Sequence, residues 1–168
     1  MTRRGKIRAF FKVLSEHLGI EFVRGEQSGE RPKYPFLSYK ILSSDAGKEQ
    51  EAVKTSELID DDKLKKTSIR ESALIVSISF FSDEKMYETL IELAEKAYAW
   101  VDSLTGYEAA KKIGIGVSVE SPVQDRTVFF ETEYEYRFGF DIKIRDKAIY
   151  TEIVETIDID QLVENLRN

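Results

Sequence analysis

One histidine, no cysteine and two acidic clusters are all that the chain offers for covalent or metal chemistry. His17 lies beside the apolar stripe of the first helical segment, where it reads as a structural residue. A Ser-His-Asp site would have to use it, yet no serine sits in a G-x-S-x-G elbow. The absence of cysteine rules out disulfides and thiol nucleophiles, and one histidine leaves a zinc site short of ligands. Ile113-Gly114-Ile115-Gly116 begins like a dinucleotide loop, but the third glycine is missing and β-forming residues come where a helix should start. In Asp60-Asp61-Asp62 consecutive carboxylates point in different directions and the EF-hand spacing is absent, so the run reads as a solvated turn. Glu131, Glu133 and Glu135 alternate at about 6.6–7 Å along a strand, a separation in the range of paired glycosidase acids. Opposite an unbroken apolar face, such a row reads as a solvated or interface surface. The residues thus predict no enzyme, no cofactor and no metal.

The elements that must carry these side chains belong to one domain's worth of chain, 168 residues with 42% hydrophobic and 11% aromatic content. The formal net charge of −6 and a pI near 5.0 argue against sequence-independent binding of nucleic acid. The apolar stretches around 74–81 and 128–130 are too short to span a bilayer. Met1–Lys6 is basic, but Arg8, Lys12, Glu16 and His17 interrupt the apolar residues after it, so a signal peptide is not expected and the product should remain in the cytoplasm.

Ile7, Phe10, Phe11, Leu14 and Leu18 mark one face of a helix, with Gly19 placed for a left-handed cap. Short strands are expected at 20–23 and 34–42, the second confined by Pro35 to an edge or a strand start. The charged stretch 48–66 reads as a projecting hairpin, about 50–59 out and 65–81 back, because an unstructured loop of that length is unusual in a compact domain. Ser82-Asp83 should cap a helix whose apolar stripe runs from Met86 to Leu104, with Gly106 ending it. A strand-like segment at 113–119 comes next. Val128, Phe130, Tyr134, Tyr136, Phe138, Phe140, Ile142 and Ile144 then alternate with charged residues as one long half-buried strand, bent or bulged somewhere. After a turn at 145–147, a strand at 148–157 should complete a hairpin, and Asp158 or Asp160 should cap a final short helix. The order predicts an α+β fold: a mostly antiparallel sheet with helices on one face.

The segment Tyr134-Glu135-Tyr136-Arg137-Phe138-Gly139-Phe140-Asp141-Ile142 resembles the Tyr-Glu-x-Arg-[Tyr/Phe]-Gly-Phe-Asp-[Val/Ile] pattern of a tailed-phage neck and tail-terminator family. Tyr34-Pro35-Phe36-Leu37-Ser38-Tyr39 is similar to that family's Pro-[Tyr/Phe]-x-[Ser/Thr]-Tyr strand, and Asp125-Arg126 also fits. The resemblance implies a lambda-type terminator fold and a ring, usually a homohexamer, that closes the head-proximal end of the tail tube. Its implied partners are other copies of itself, the tail tube protein, the head-tail connector protein and, in a contractile tail, the sheath. DNA would pass through without specific binding, and the protein would reside in the virion.

The residues add their own constraints. Gly139 on the polar face of the long strand suits a bulge or another backbone's close approach. Arg137 and Asp141 share that face roughly 13 Å apart at strand rise, so each needs a partner elsewhere. In the arm, Val53, Leu58 and Ile59 are among the few apolar residues, available to a neighbouring subunit or connector. The interface candidates are therefore Val53, Leu58, Ile59, Glu135, Arg137, Gly139 and Asp141. The competing reading is a small non-enzymatic α+β module that binds a ligand or peptide.

Overall fold

A computed structural model describes residues 1–25, 31–44, 53–60, 63–83, 86–130 and 133–155. The chain divides into two units, residues 1–47 with 72–146, and residues 48–71 with 147–168. The elements in order are α1 (Arg3–Leu18), β1 (Glu21–Arg24), β2 (Phe36–Ser44), β3 (Val53–Asp60), β4 (Lys63–Ser82), α2 (Tyr87–Val101), α3 (Leu104–Ile113), β5 (Gly116–Val119), β6 (Gln124–Asp125), β7 (Val128–Phe130) and β8 (Glu133–Glu155). The fold is α+β, with a mostly antiparallel sheet in the order β1-β2-β4-β8-β5; β1 and β2 run parallel.

In the first unit, α1 forms where its apolar spacing demands. Ile7, Phe10, Phe11, Leu14 and Leu18 are all buried, Thr2 caps the N-terminus through Gly5 N–H, and Gly19 closes the helix at φ +70°. The opposing sheet face carries Leu74, Val76, Ile78 and Phe80 from β4 and Phe138, Phe140, Ile142 and Ile144 from β8, every second residue as expected. All three helices contribute to this core, where full burial of each Leu, Ile or Phe side chain stabilises by about 1.5–3 kcal/mol. His17 stacks on Trp100 at 5.5 Å, a structural contact at the core's rim.

Several boundaries differ from the sequence reading. The helix start assigned to Ser82-Asp83 lies later: Met86 is the cap residue and no side chain caps α2, while Ser82 Oγ donates to the neighbouring Asp83 carbonyl. Gly106 does not end a helix. Ser103 breaks the chain instead, its Oγ donating to Trp100 O at 2.7 Å and accepting from Gly106 N–H at 3.2 Å to start α3. Gly106 is required there because an added Cβ would stand 2.2 Å from Trp100 O. Of the two placements expected for Pro35 the strand start holds, since it lies immediately before β2, while the edge does not, because β2 lies between β1 and β4.

The long alternating segment is not one strand. β7 pairs antiparallel with β8 in the register Val128↔Glu135 and Phe129↔Tyr134, so the chain reverses between Phe130 and Glu133. Directly opposed residues share a face, so Phe129 rather than Val128 joins Tyr134, with ring centroids 4.9 Å apart. β5, β6 and β7 line successive stretches of β8. Nor is there a turn at 145–147, because β8 runs on to Glu155. Asp146 is held within the strand by Lys6, whose Nζ lies 2.6 Å from Oδ1 and also donates to Gly114 O.

The second unit contains β3 and the start of β4 as the expected antiparallel hairpin, from Val53↔Ile69 to Asp60↔Lys63, with an irregularity after Leu58. Its other described residues are 147–155, the end of β8. Asp61, Asp62 and the final-helix segment lie outside the described residues.

Candidate functional site

Two groups of side chains gather the residues singled out by sequence. The first lies in the larger unit along the odd-numbered face of β8. Glu135 is buried, and Arg137, two residues on, donates to its Oε2 from Nε at 2.8 Å and from Nη2. Arg31 Nη1 stands 2.7 Å from Oε1, a charge contact off the line of a good hydrogen bond. The Arg137 guanidinium also sits 4.9 Å from the centre of the Phe81 ring, a cation–π contact. Glu135 is thus a desolvated carboxylate between two arginines, not part of a solvated acidic row. Glu131 lies outside the described residues.

Further along that face Asp141 meets Arg126. Nη2 donates to Oδ1 at 2.9 Å, and Nη1 donates to Ser77 Oγ at 2.5 Å on β4. The Asp141 backbone is tied as well: its N–H donates to Ser121 Oγ, and its carbonyl accepts from Glu120 N–H. Between the two charge pairs, Gly139 permits a close approach, since a Cβ there would stand 2.1 Å from Ile78 O. Glu135, Arg137 and Asp141 therefore find partners inside the chain. In the sequence Arg126 stood out only with Asp125 in the family resemblance, and Arg31 did not stand out; neither carries a spacing signal that names its partner.

Beside this face, Tyr87, Asp125, Thr127, Tyr134 and Tyr136 line an open hollow of about 500 Å³. Tyr87 and Tyr136 meet edge to face at 5.3 Å. No group of three or more potential metal ligands occurs among the described residues, and none of the described helices is long and apolar enough to cross a membrane.

The second group lies in the smaller unit. Val53, Leu58 and Ile59 are 63%, 61% and 52% exposed, and Ile149, Tyr150 and Ile153 are each about two-thirds exposed. Not one described residue of this unit is buried. Sequence reasoning missed Ile149, Tyr150 and Ile153, although the adjacent Ile149-Tyr150 breaks the inside-outside alternation and signals apolar residues on both faces.

No curated protein matches the chain. The family model described as phage neck terminator protein matches residues 8–165. The chain therefore belongs to the phage neck terminator protein family, whose members are structural components of the virion that join neck and tail proteins, and are not enzymes.

Proposed function

We propose that this protein assembles as a homohexameric ring at the head-proximal end of the tail tube, stops tube growth and joins the tail to the head-neck connector. The observation that carries the reading is the smaller unit: six large apolar side chains exposed and no buried residue among those described. Strands without a core are marginal in water, and an apolar surface of this kind is a feature of proteins that associate. Val53, Leu58 and Ile59 are assigned to contacts with a neighbouring copy or the connector, with the charged residues of the arm fixing register at the rim. Glu135, Arg137, Gly139 and Asp141 hold the strand from which the same interface is built. The chain acts as one terminator domain with residues 48–66 as its assembly arm. The tube protein and, in a contractile tail, the sheath are further partners, and DNA passes the ring without tight binding, in keeping with the net charge of −6.

The test is electron microscopy of purified tail tubes incubated with the protein. A sixfold ring capping one end of each tube is the expected result. Tubes that stay uncapped and continue to grow, with the protein free in solution, would exclude the terminator role.

A further inference from the structure

In the larger unit, a second cavity of about 480 Å³ lies between α1 and the β1–β2 edge. Arg4 and Arg8 reach it from one face of α1, Arg24 from the end of β1, and Phe22, Tyr39 and Ile41 supply ring and aliphatic surface. Three features set it apart from ordinary surface charge. No acidic side chain lines it among the described residues. None of the three guanidinium groups has an ion pair or hydrogen bond among the described residues, in a chain whose acids outnumber its bases. Arg4 and Arg8 are also spaced i, i+4, a like-charge arrangement that a helix tolerates at a cost.

Tyr39 is the independent observation. Its ring is only 7% exposed and stacks on Phe11 at 4.2 Å. Its hydroxyl has no hydrogen-bond partner among the described residues. Burial pushes the phenol's pKa up, while Arg24 and Arg8 both pull it down, so both guanidinium charges are felt at this side chain. A hydroxyl that opens to the cavity without a protein partner, close enough to two guanidinium groups to feel their charge, completes a donor set suited to an acceptor.

We propose that this cavity binds an acidic peptide segment of a partner protein, with an aspartate or glutamate carboxylate among Arg4, Arg8, Arg24 and the Tyr39 hydroxyl and an adjoining apolar side chain against Phe22 and Ile41. Guanidinium groups bind carboxylates and phosphates alike. The apolar half of the lining selects the peptide, because a duplex presents a convex row of phosphates with no apolar group to bury there. The site needs one copy of the chain only, so it stands whether or not the ring forms.

The experiment is isothermal titration calorimetry of the full chain with a capped pentapeptide alternating aspartate and isoleucine. The same peptide with asparagine for aspartate, and a twelve-base-pair DNA duplex, serve as comparisons. Saturable binding of the acidic peptide alone is expected, weakening as salt rises. The double variant Arg8→Gln/Arg24→Gln should bind about tenfold more weakly or worse. Tyr39→Phe, which keeps the ring stack, should bind roughly threefold more weakly. Thermal melts of the variants establish that each is folded. No heat with the acidic peptide, equal binding of the asparagine peptide, or unchanged affinity in the variants would overturn the proposal. Preferred binding of the duplex would assign the site to phosphates instead. Loss of self-association in the double variant without any peptide binding would assign it to a second copy; both results contradict the proposal.

Discussion

Arg126 and Asp141 are joined at 2.9 Å across fifteen residues of sequence, and the same guanidinium holds Ser77 on the neighbouring strand β4. One side chain thereby ties the β6–β7 connection to both central strands. Both members of the pair are about one-quarter exposed, so the contact is partly desolvated and worth more than a surface ion pair. Arg126→Ala should destabilise the protein by about 2–3 kcal/mol by leaving Asp141 without its cation. That corresponds to a fall of roughly 4–12 °C in melting temperature. Calorimetry of the purified variant checks it, and a loss under about 2 °C would show the pair to be incidental.

Gly139 has no room for a side chain. A Cβ would meet backbone, Ile78 O at 2.1 Å and Ser79 Cα at 3.1 Å, and backbone within a sheet cannot step aside as a flexible side chain can. Gly139→Ala should cost about 3 kcal/mol or more by forcing β4 and β8 apart. Its chemical denaturation midpoint should drop well below that of Gly116→Ala, where the nearest atom is the Arg145 Cβ at 3.7 Å.

Alkaline stability should respond to Tyr39. Its folded-state pKa is raised above the ordinary 10.0, chiefly by burial. Below pH 10 the phenol is protonated in both folded and unfolded chains and stability is unaffected. As the pH rises past 10 the unfolded chain releases the proton first, so stability falls as the pH climbs through the folded-state value. Tyr39→Phe should flatten this decline between about pH 9.5 and 12. Melting temperatures across that range measure it, and parallel curves for the two proteins would contradict it.

How much could be read in advance depended on whether a partner was local. The α1 stripe from Ile7 to Leu18 and the alternation from Phe138 to Ile144 were legible because helix and strand periods are written in neighbouring residues. The hairpin of β3 on β4 was legible from β-forming residues on either side of a charged tip. The reversal after Phe130 was not, since alternation alone does not distinguish one strand from two strands joined by a short connection. The continuation of β8 past Arg145 was hidden for a different reason. Arg145-Asp146-Lys147 has the composition of a turn, and the partner of Asp146 is Lys6, 140 residues away. The need of Arg137 and Asp141 for partners came from strand spacing, but the identities Glu135 and Arg126 required the fold.

The exposed apolar residues of the arm provide the most direct test of assembly. Replacing Val53, Leu58 and Ile59 together by serine removes apolar surface that the single chain does not bury, so folding should be nearly unaffected, with a change of at most a few degrees in melting temperature. The decisive measurement is tail length and head attachment, by electron microscopy, in particles assembled with this triple variant. Overlong or headless tails together with a normal melting temperature are expected. Tails of normal length joined to heads would contradict the assembly role, and a collapse in melting temperature would contradict it equally by placing these residues in the folding core.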